Sequence, residues 1–417
     1  MLKNAPSVDA GRLRKTLEAL SVFGRPPGGT FDDGVSRVAY SEADIAGRAY
    51  VAGLMTSAGL AVRIDPAGNI IGRKEGSDPK LLPLLMGSHI DTVPGGGNFD
   101  GNVGCLGAIE VVQTLADAGI TTRHPLEVVI WANEEGVAFG KGLWGSRAAA
   151  GKLDPGELDD VSNGVKKADA VRAIGGDPDR IDEAQRAHGS FLAYLELHVE
   201  QGGILDAGGV PIGVVEGIVA VERYAALVTG FANHAGTTPM ADRQDALIAA
   251  ARLVIGVNDI VTAEPGRQVG TVGKLNVTPN AVNVIPGQVS MTIELRDLSA
   301  AKVSALAIRV KERGDEIAAA SRTKIDITLT SEQPPALCSP DLMIAIEHAA
   351  VQLGLQHQRL PSGAGHDAQM IAQLGPMAMI FVPSVAGISH SPHELSRWED
   401  VGNGANVLLQ AVLALTG

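Results

Sequence analysis

The side chains best suited to chemistry fall in five short segments. In Met86-Gly-Ser-His-Ile-Asp91, extended backbone puts His89 and Asp91 on the same side of a strand. A histidine that binds a cation needs its second ring nitrogen held, often by a carboxylate. Asp91 can do this directly or through the backbone around it. The segment continues as Pro94-Gly-Gly-Gly-Asn-Phe-Asp100-Gly101, whose glycines let the chain turn sharply and return Asp100 beside His89. One carboxylate has two oxygens and can bridge two cations. A lone His89 is ordinarily a satisfied structural residue, but His-x-Asp with a Gly-rich return to a second Asp is far less common by chance.

The second segment, Trp131-Ala-Asn-Glu134-Glu135-Gly136, follows an apolar run. Adjacent carboxylates at a strand end are often only solvated. Neighbouring side chains diverge, however, so one can bind a cation while the other faces substrate as general acid/base. The third is Glu196-Leu-His198-Val-Glu200-Gln201-Gly202, in which Glu196, His198 and Glu200 share one face of a strand. It reads either as a polar edge strand or as a face whose ionisable groups need a cation or partner. The fourth, Ala232-Asn-His234-Ala-Gly-Thr-Thr-Pro239, is a polar loop between a strand and a helix. The fifth is Ser389-His390-Ser-Pro-His393-Glu394, after the apolar run 377–382.

His89, Asp100, Glu135, His198 and His390 sum to a nitrogen and oxygen donor set without sulfur. Such a set suits Zn, Mn, Co or Ni better than Ca. Five side chains exceed one tetrahedral site with an open position. With Asp100 bridging, each of two divalent metal ions receives three protein ligands. Gly140-Lys-Gly-Leu-Trp-Gly145 matches a dinucleotide-binding pattern. It lacks the tight strand-to-helix turn that pattern needs, so Lys141 and Trp144 read as ordinary loop and packing residues.

The elements that must position these groups follow from the apolar pattern. Residues 8–22 have helical spacing. Residues 60–64 and 69–72 read as short strands around the turn Asp65-Pro66-Ala67-Gly68. The runs 81–89 and 126–132 suit strands buried on both faces, with the Gly- and Ala-rich helical stretch 103–118 between them. This order gives an α/β fold with a mixed sheet, and ligands bind beyond the carboxyl ends of such strands. Residues 212–332 differ: strands at 224–230, 269–277, 288–295 and 324–330 alternate with helices at 242–260 and 299–322. They read as a smaller α+β domain inserted into the larger one, which takes 1–211 and 333–417. Hinges are expected near 211–213 and 330–335.

The chain has 417 residues, enough for two domains, with an aliphatic core implied by 45% hydrophobic but only 3% aromatic residues. A net charge of -13 argues against a nucleic-acid binder, which needs clustered Lys/Arg. Cys105 and Cys338 are too few for a disulfide framework or thiolate zinc site and read as buried apolar groups. The N-terminus lacks a signal-peptide core, and no stretch approaches bilayer-spanning length by this reading. The expectation is a soluble, cytoplasmic protein with no membrane partner.

The ordered set GSHIDTVPGGGNFDG, ANEEG, ELHVEQG, NHAGTTPM, VTPNAVNVIPG and ISHSPHE resembles the M20-type metallo-amidohydrolases. Within them it looks like the carbamoylase, β-ureidopropionase and allantoate amidohydrolase branch. The resemblance implies the same five metal ligands, Asp91 as a support and Glu134 as general base. It implies that the inserted domain is a lid that carries a homodimer contact, with His234 and Asn280 reaching toward substrate in their own or the partner subunit. Arg296 would grip a substrate carboxylate, against the alternative of an ion pair with Glu294 or Asp297. Gln201 and His366 would be further substrate contacts. The implied reaction cleaves the carbamoyl C–N bond of small anionic ureido substrates, N-carbamoyl-L-amino acids first, giving L-amino acid, carbon dioxide and ammonia. Allantoate and N-carbamoyl-β-alanine are the rival substrates. A dipeptidase of the same family is argued against by His198, where peptidases more often carry a carboxylate, and by NHAGTTPM. Relatives commonly have Arg-Phe after Glu-Glu-Gly where this chain has Val137-Ala138-Phe139, a departure that bears on substrate preference rather than metal chemistry.

Overall fold

A computed structural model describes residues 6–417. The chain forms two compact units, one running up to Gly217 and again over Leu337–Gly417, the other Ile218–Ala336.

The larger unit is built on a nine-stranded mixed sheet. At its centre lie four parallel strands in the order Leu126–Trp131, Leu84–His89, Ala193–Val199 and Met377–Val382. All their residues are buried, as continuous apolar runs demand. Ile70–Lys74 and Ala61–Ile64 extend one side antiparallel. Ile212–Ile218, expected in the inserted domain, instead pairs antiparallel with Met377–Val382 in this sheet. The run expected from residue 81 becomes strand only at Leu84, since Pro83 has no N–H to give a ladder. Helix Asn102–Asp117 packs on the strands ending at His89 and Val199. Helix Trp398–Thr416 packs on Met377–Val382 and on Asn102–Asp117. The first helix is Ala10–Leu20, opened by Asp9, whose carboxylate accepts from the Arg12 N–H. Cys105 and Cys338 are both free and buried.

The smaller unit is a four-stranded antiparallel sheet in the order Val269–Thr278, Gln288–Asp297, Ala220–Thr229, Lys324–Gln333. Helices Ala246–Ala263 and Ala300–Ser321 pack on it. The first starts four residues later than its pattern suggests, because Met240–Asp242 forms a 3-10 turn and Asp245 caps the helix through the Leu247 and Ile248 N–H groups. Along Gln288–Asp297, Val289, Met291, Ile293 and Leu295 enter the core with Leu253, Val257, Leu306 and Val310. The even-numbered residues occupy the other face, as the two-residue period requires. Helix Ala246–Ala263, at 18 residues and mean hydropathy 1.7, is long and apolar enough to cross a membrane. Sequence reading missed this length. Ala249, Ala250, Leu253 and Val257 bury its inner face in the core of this unit.

Candidate metal centre

The four parallel strands end along one edge of the sheet, and the chain leaves each with polar residues. His89 is the last residue of its strand, His198 the last but one of its own, and Glu134 and Glu135 follow the strand ending at Trp131. His390 lies in the segment after Met377–Val382. Asp100 sits among them. Its Oδ1 is 3.5 Å from His89 Nε2 and 3.2 Å from His198 Nε2. Its Oδ2 is 3.3 Å from His390 Nε2, which lies 3.4 Å from Glu135 Oε2. These five donors thus form two groups, His89 with Asp100 and His198, and Asp100 with Glu135 and His390, and a third group sets Glu196 and His366 around His198. The five ligands expected from sequence are all brought together.

The contacts of the ring nitrogens suit these groups to cations. His89 Nδ1 lies 3.0 Å from the Asp91 carbonyl oxygen and His198 Nδ1 2.9 Å from that of Val199. In the neutral form each ring donates its one N–H there and turns its Nε2 lone pair toward the carboxylate, as a metal ligand must, whereas in the charged form both nitrogens donate. The Gly101 N–H donates to His198 Nε2 at 3.2 Å, which agrees. Lone pairs facing carboxylate oxygens in a buried site repel unless positive charge lies between them. Divalent cations meet that need with this oxygen and nitrogen donor set.

The supporting contacts are specific. Asp91 holds His89 through its backbone carbonyl, while its carboxylate accepts the Glu134 and Glu135 N–H groups, both at 3.2 Å. Asp91 therefore aims the Glu-Glu pair. Glu134 Oε2 lies 3.8 Å from His89 Nε2. Glu394, to which sequence reading gave no role, accepts the Phe99 and Asp100 N–H groups at 2.9 and 3.0 Å. Its other oxygen accepts Ser389 Oγ at 2.7 Å. A Cβ on Gly97 would lie 2.1 Å from Glu394 Oε1, so the Gly-rich turn is what lets Glu394 approach. Gly101, at φ 64°, packs directly under the His89 ring. Gln201, expected to touch substrate, donates its amide to Asp100 Oδ2 at 2.7 Å.

Electrostatics follow this crowding. Burial pushes Glu134 well above the usual carboxylate range, against the pull of His89. Burial also lifts Glu135, to about 7, with Asp100 adding to it. Burial works against ionised Asp100, but His198, His390 and His89 in their charged forms hold it well below its ordinary value, supplying the positive charge that cations would otherwise bring. The Asp100 carboxylate raises His390 to about 9.

The sequence model for Peptidase family M20/M25/M40 matches residues 85–414. The chain belongs to this family. It is 41% identical over 409 residues to the N-carbamoyl-L-amino acid amidohydrolase of Geobacillus stearothermophilus, covering 98% of this chain and 99% of that one. It is 37% identical to the ureidoglycolate hydrolase of Arabidopsis thaliana, covering 98% and 87%. Among solved structures, an amidase of the hydantoinase/carbamoylase family from Burkholderia multivorans superposes with a TM-score of 0.90 at 37% identity, covering 98% of both chains.

The sequence reading singled out further residues in this M20 chain besides the five-residue cluster. His366 is buried beside it, its ring 4.5 Å from that of His198 and its Nε2 2.8 Å from Ser362 Oγ. Burial and His198 hold its pKa well below the ordinary value. It is 1% exposed and packs against His198. Glu196 accepts from Ser88 Oγ and the Ala368 N–H, and Glu200 caps helix Ile204–Gly208 through the Ile204 and Leu205 N–H groups. The shared face of that strand therefore divides into His198, which faces Asp100, and two carboxylates that accept hydrogen bonds from the protein. In the smaller unit, His234 is exposed and its Nδ1 accepts the Gly236 and Thr237 N–H groups at 3.0 and 3.2 Å, which leaves the proton on Nε2. Asn280 is exposed at φ 57°. Arg296 pairs with Glu294, the alternative weighed from the sequence.

Proposed function

We propose that this chain is an N-carbamoyl-L-amino-acid amidohydrolase whose two divalent metal ions are held by His89, Asp100, Glu135, His198 and His390. The observation that carries the reading is the division of the Asp100 carboxylate, one oxygen toward His89 and His198 and the other toward His390 and Glu135. Its chemistry is that of the Geobacillus relative named above.

Divalent cations held there supply Lewis acidity and a water that is nucleophilic at neutral pH. The chain's own residues do the rest. Glu134, with its pKa raised by burial, takes the proton of the attacking water and returns it to the departing amine. The carbamoyl C–N bond breaks, and the carbamate left behind yields carbon dioxide and ammonia. Arg296 anchors the substrate carboxylate and so orients the ureido group before attack. The His234 Nε2–H donates to the oxyanion as charge develops. In this reading the smaller unit is a lid and carries a homodimer contact, and Asn280 adds a substrate hydrogen bond.

The test is ammonia release from N-carbamoyl-L-methionine, N-carbamoyl-β-alanine and allantoate, with and without chelator. Chelator-sensitive release from the first is expected. Preference for allantoate or N-carbamoyl-β-alanine would keep the mechanism and change the substrate. Ureidoglycolate belongs in the same assay, given the Arabidopsis relative. No release from any of them in metal-loaded protein would refute the reading.

A further inference from the structure

The open face of the smaller unit's sheet carries an ion-pair arrangement that the reaction above does not use. Arg223, on Ala220–Thr229, stands directly opposite Glu294, on Gln288–Asp297. Its Nε lies 2.6 Å from Glu294 Oε2. Two residues along the same face, Arg296 gives Nε and a terminal nitrogen to Glu294 Oε1 at 2.8 and 2.7 Å. One carboxylate is therefore shared between two guanidiniums. Burial works against its charge, but Arg296 and Arg223 outweigh this and keep it ionised. Beside it lies a cavity of about 320 Å³ whose lining includes Arg223, Thr271, Lys274, Thr292, Glu294 and Thr330. Three threonines and two cations line it against that one carboxylate, a lining suited to an anionic group.

A substrate carboxylate gripped by Arg296 would share that guanidinium with Glu294. Bidentate recognition needs two parallel N–H groups, and Glu294 already occupies one edge. Two carboxylates on one guanidinium also repel. Arg223 offers the way out, since Glu294 already bonds it and can remain paired there.

We infer that Glu294 is an internal stand-in for the substrate's carboxylate, holding Arg296 until substrate takes it and then resting on Arg223 alone. This rests on the activity proposed above and assigns Glu294 and Arg223 as residues that set affinity for anionic substrates.

The experiment is steady-state hydrolysis of N-carbamoyl-L-methionine by wild type, Glu294→Gln and Arg223→Gln, together with calorimetric binding of the product L-methionine. A neutral amide competes weakly, so Glu294→Gln lowers KM by about three- to fivefold, the scale of a partly exposed ion pair. Arg223→Gln removes the resting place and raises KM. A role only in holding the sheet together would not move KM in opposite directions. An unchanged or raised KM in Glu294→Gln beside an active wild type overturns the inference alone. A wild type inactive on every ureido substrate overturns the activity reading instead. L-methionine binding then still decides the inference: tighter binding by Glu294→Gln supports it and equal affinity overturns it.

Discussion

Asp100 owes its position to partners far along the chain. Glu394 holds its N–H from 294 residues away, and Gln201 meets its Oδ2 from 101 residues away. Removing Glu394 strands two buried N–H groups and loosens the residue that serves both cation groups. Glu394→Ala should therefore weaken cation binding about 10- to 100-fold, the usual cost of losing an outer-shell partner. Competition with a chelating dye measures this, and wild-type affinity would show that Glu394 only closes the loop. Glu134 behaves differently, since it is proposed to move a proton and not to hold a cation. Glu134→Gln should keep the full metal content but lose about 10²- to 10⁴-fold in kcat. Elemental analysis and turnover on the same sample separate the two effects, and an intact rate removes Glu134 from its role.

At the scale of elements, the return from His89 to Asp100 depends on glycine at two places for different reasons. Gly97 leaves room for the Glu394 carboxylate, whereas Gly101 has both a left-handed φ of 64° and the His89 ring against it. Gly97→Ala should cost about 1–3 kcal/mol of stability through overpacking. Gly101→Ala should cost at least as much, because strain adds to the clash. Thermal unfolding of the two variants ranks them, and an unperturbed Gly101→Ala would mean that the His89 ring can shift freely. Much of this architecture is legible in the sequence. The buried parallel strands are near-continuous apolar runs, and the polar residues at their ends are the ones that cluster around Asp100. Local spacing also anticipates the Arg296–Glu294 pair, since residues two apart share a strand face. What sequence reading misses is set by contacts with no local trace. Glu394 lies in a quoted motif, but its N–H partners are visible only once the chain has folded. The Ser362 and His198 neighbours of His366 are likewise set by the fold. The strand Ile212–Ile218 sits at the edge of the inserted segment, and only its pairing with Met377–Val382 assigns it to the larger sheet.

Across the whole molecule, the five proposed ligands are spread over 302 residues of sequence, yet all lie in the larger unit and none in Ile218–Ala336. Cations bound at the proposed site would tie together the ends of all four central strands. Anything that binds the native state and not the unfolded one stabilises by mass action, about 2.7 kcal/mol at a hundredfold excess over Kd. The smaller unit has its own core, built on Leu253, Val257, Ile293, Leu306 and Val310, and has no share in those ligands. Scanning calorimetry should therefore resolve two transitions, as a chain with two cores need not unfold in one step. Chelator should lower the midpoint of one and leave the other in place. Isolated Ile218–Ala336 should unfold near the chelator-insensitive transition, which assigns it. Equal shifts of both transitions would mean that the cation centre stabilises the smaller unit as well, and that the units are coupled in unfolding. A single transition that ignores chelator would instead remove cation binding as a stabilising link among these strands.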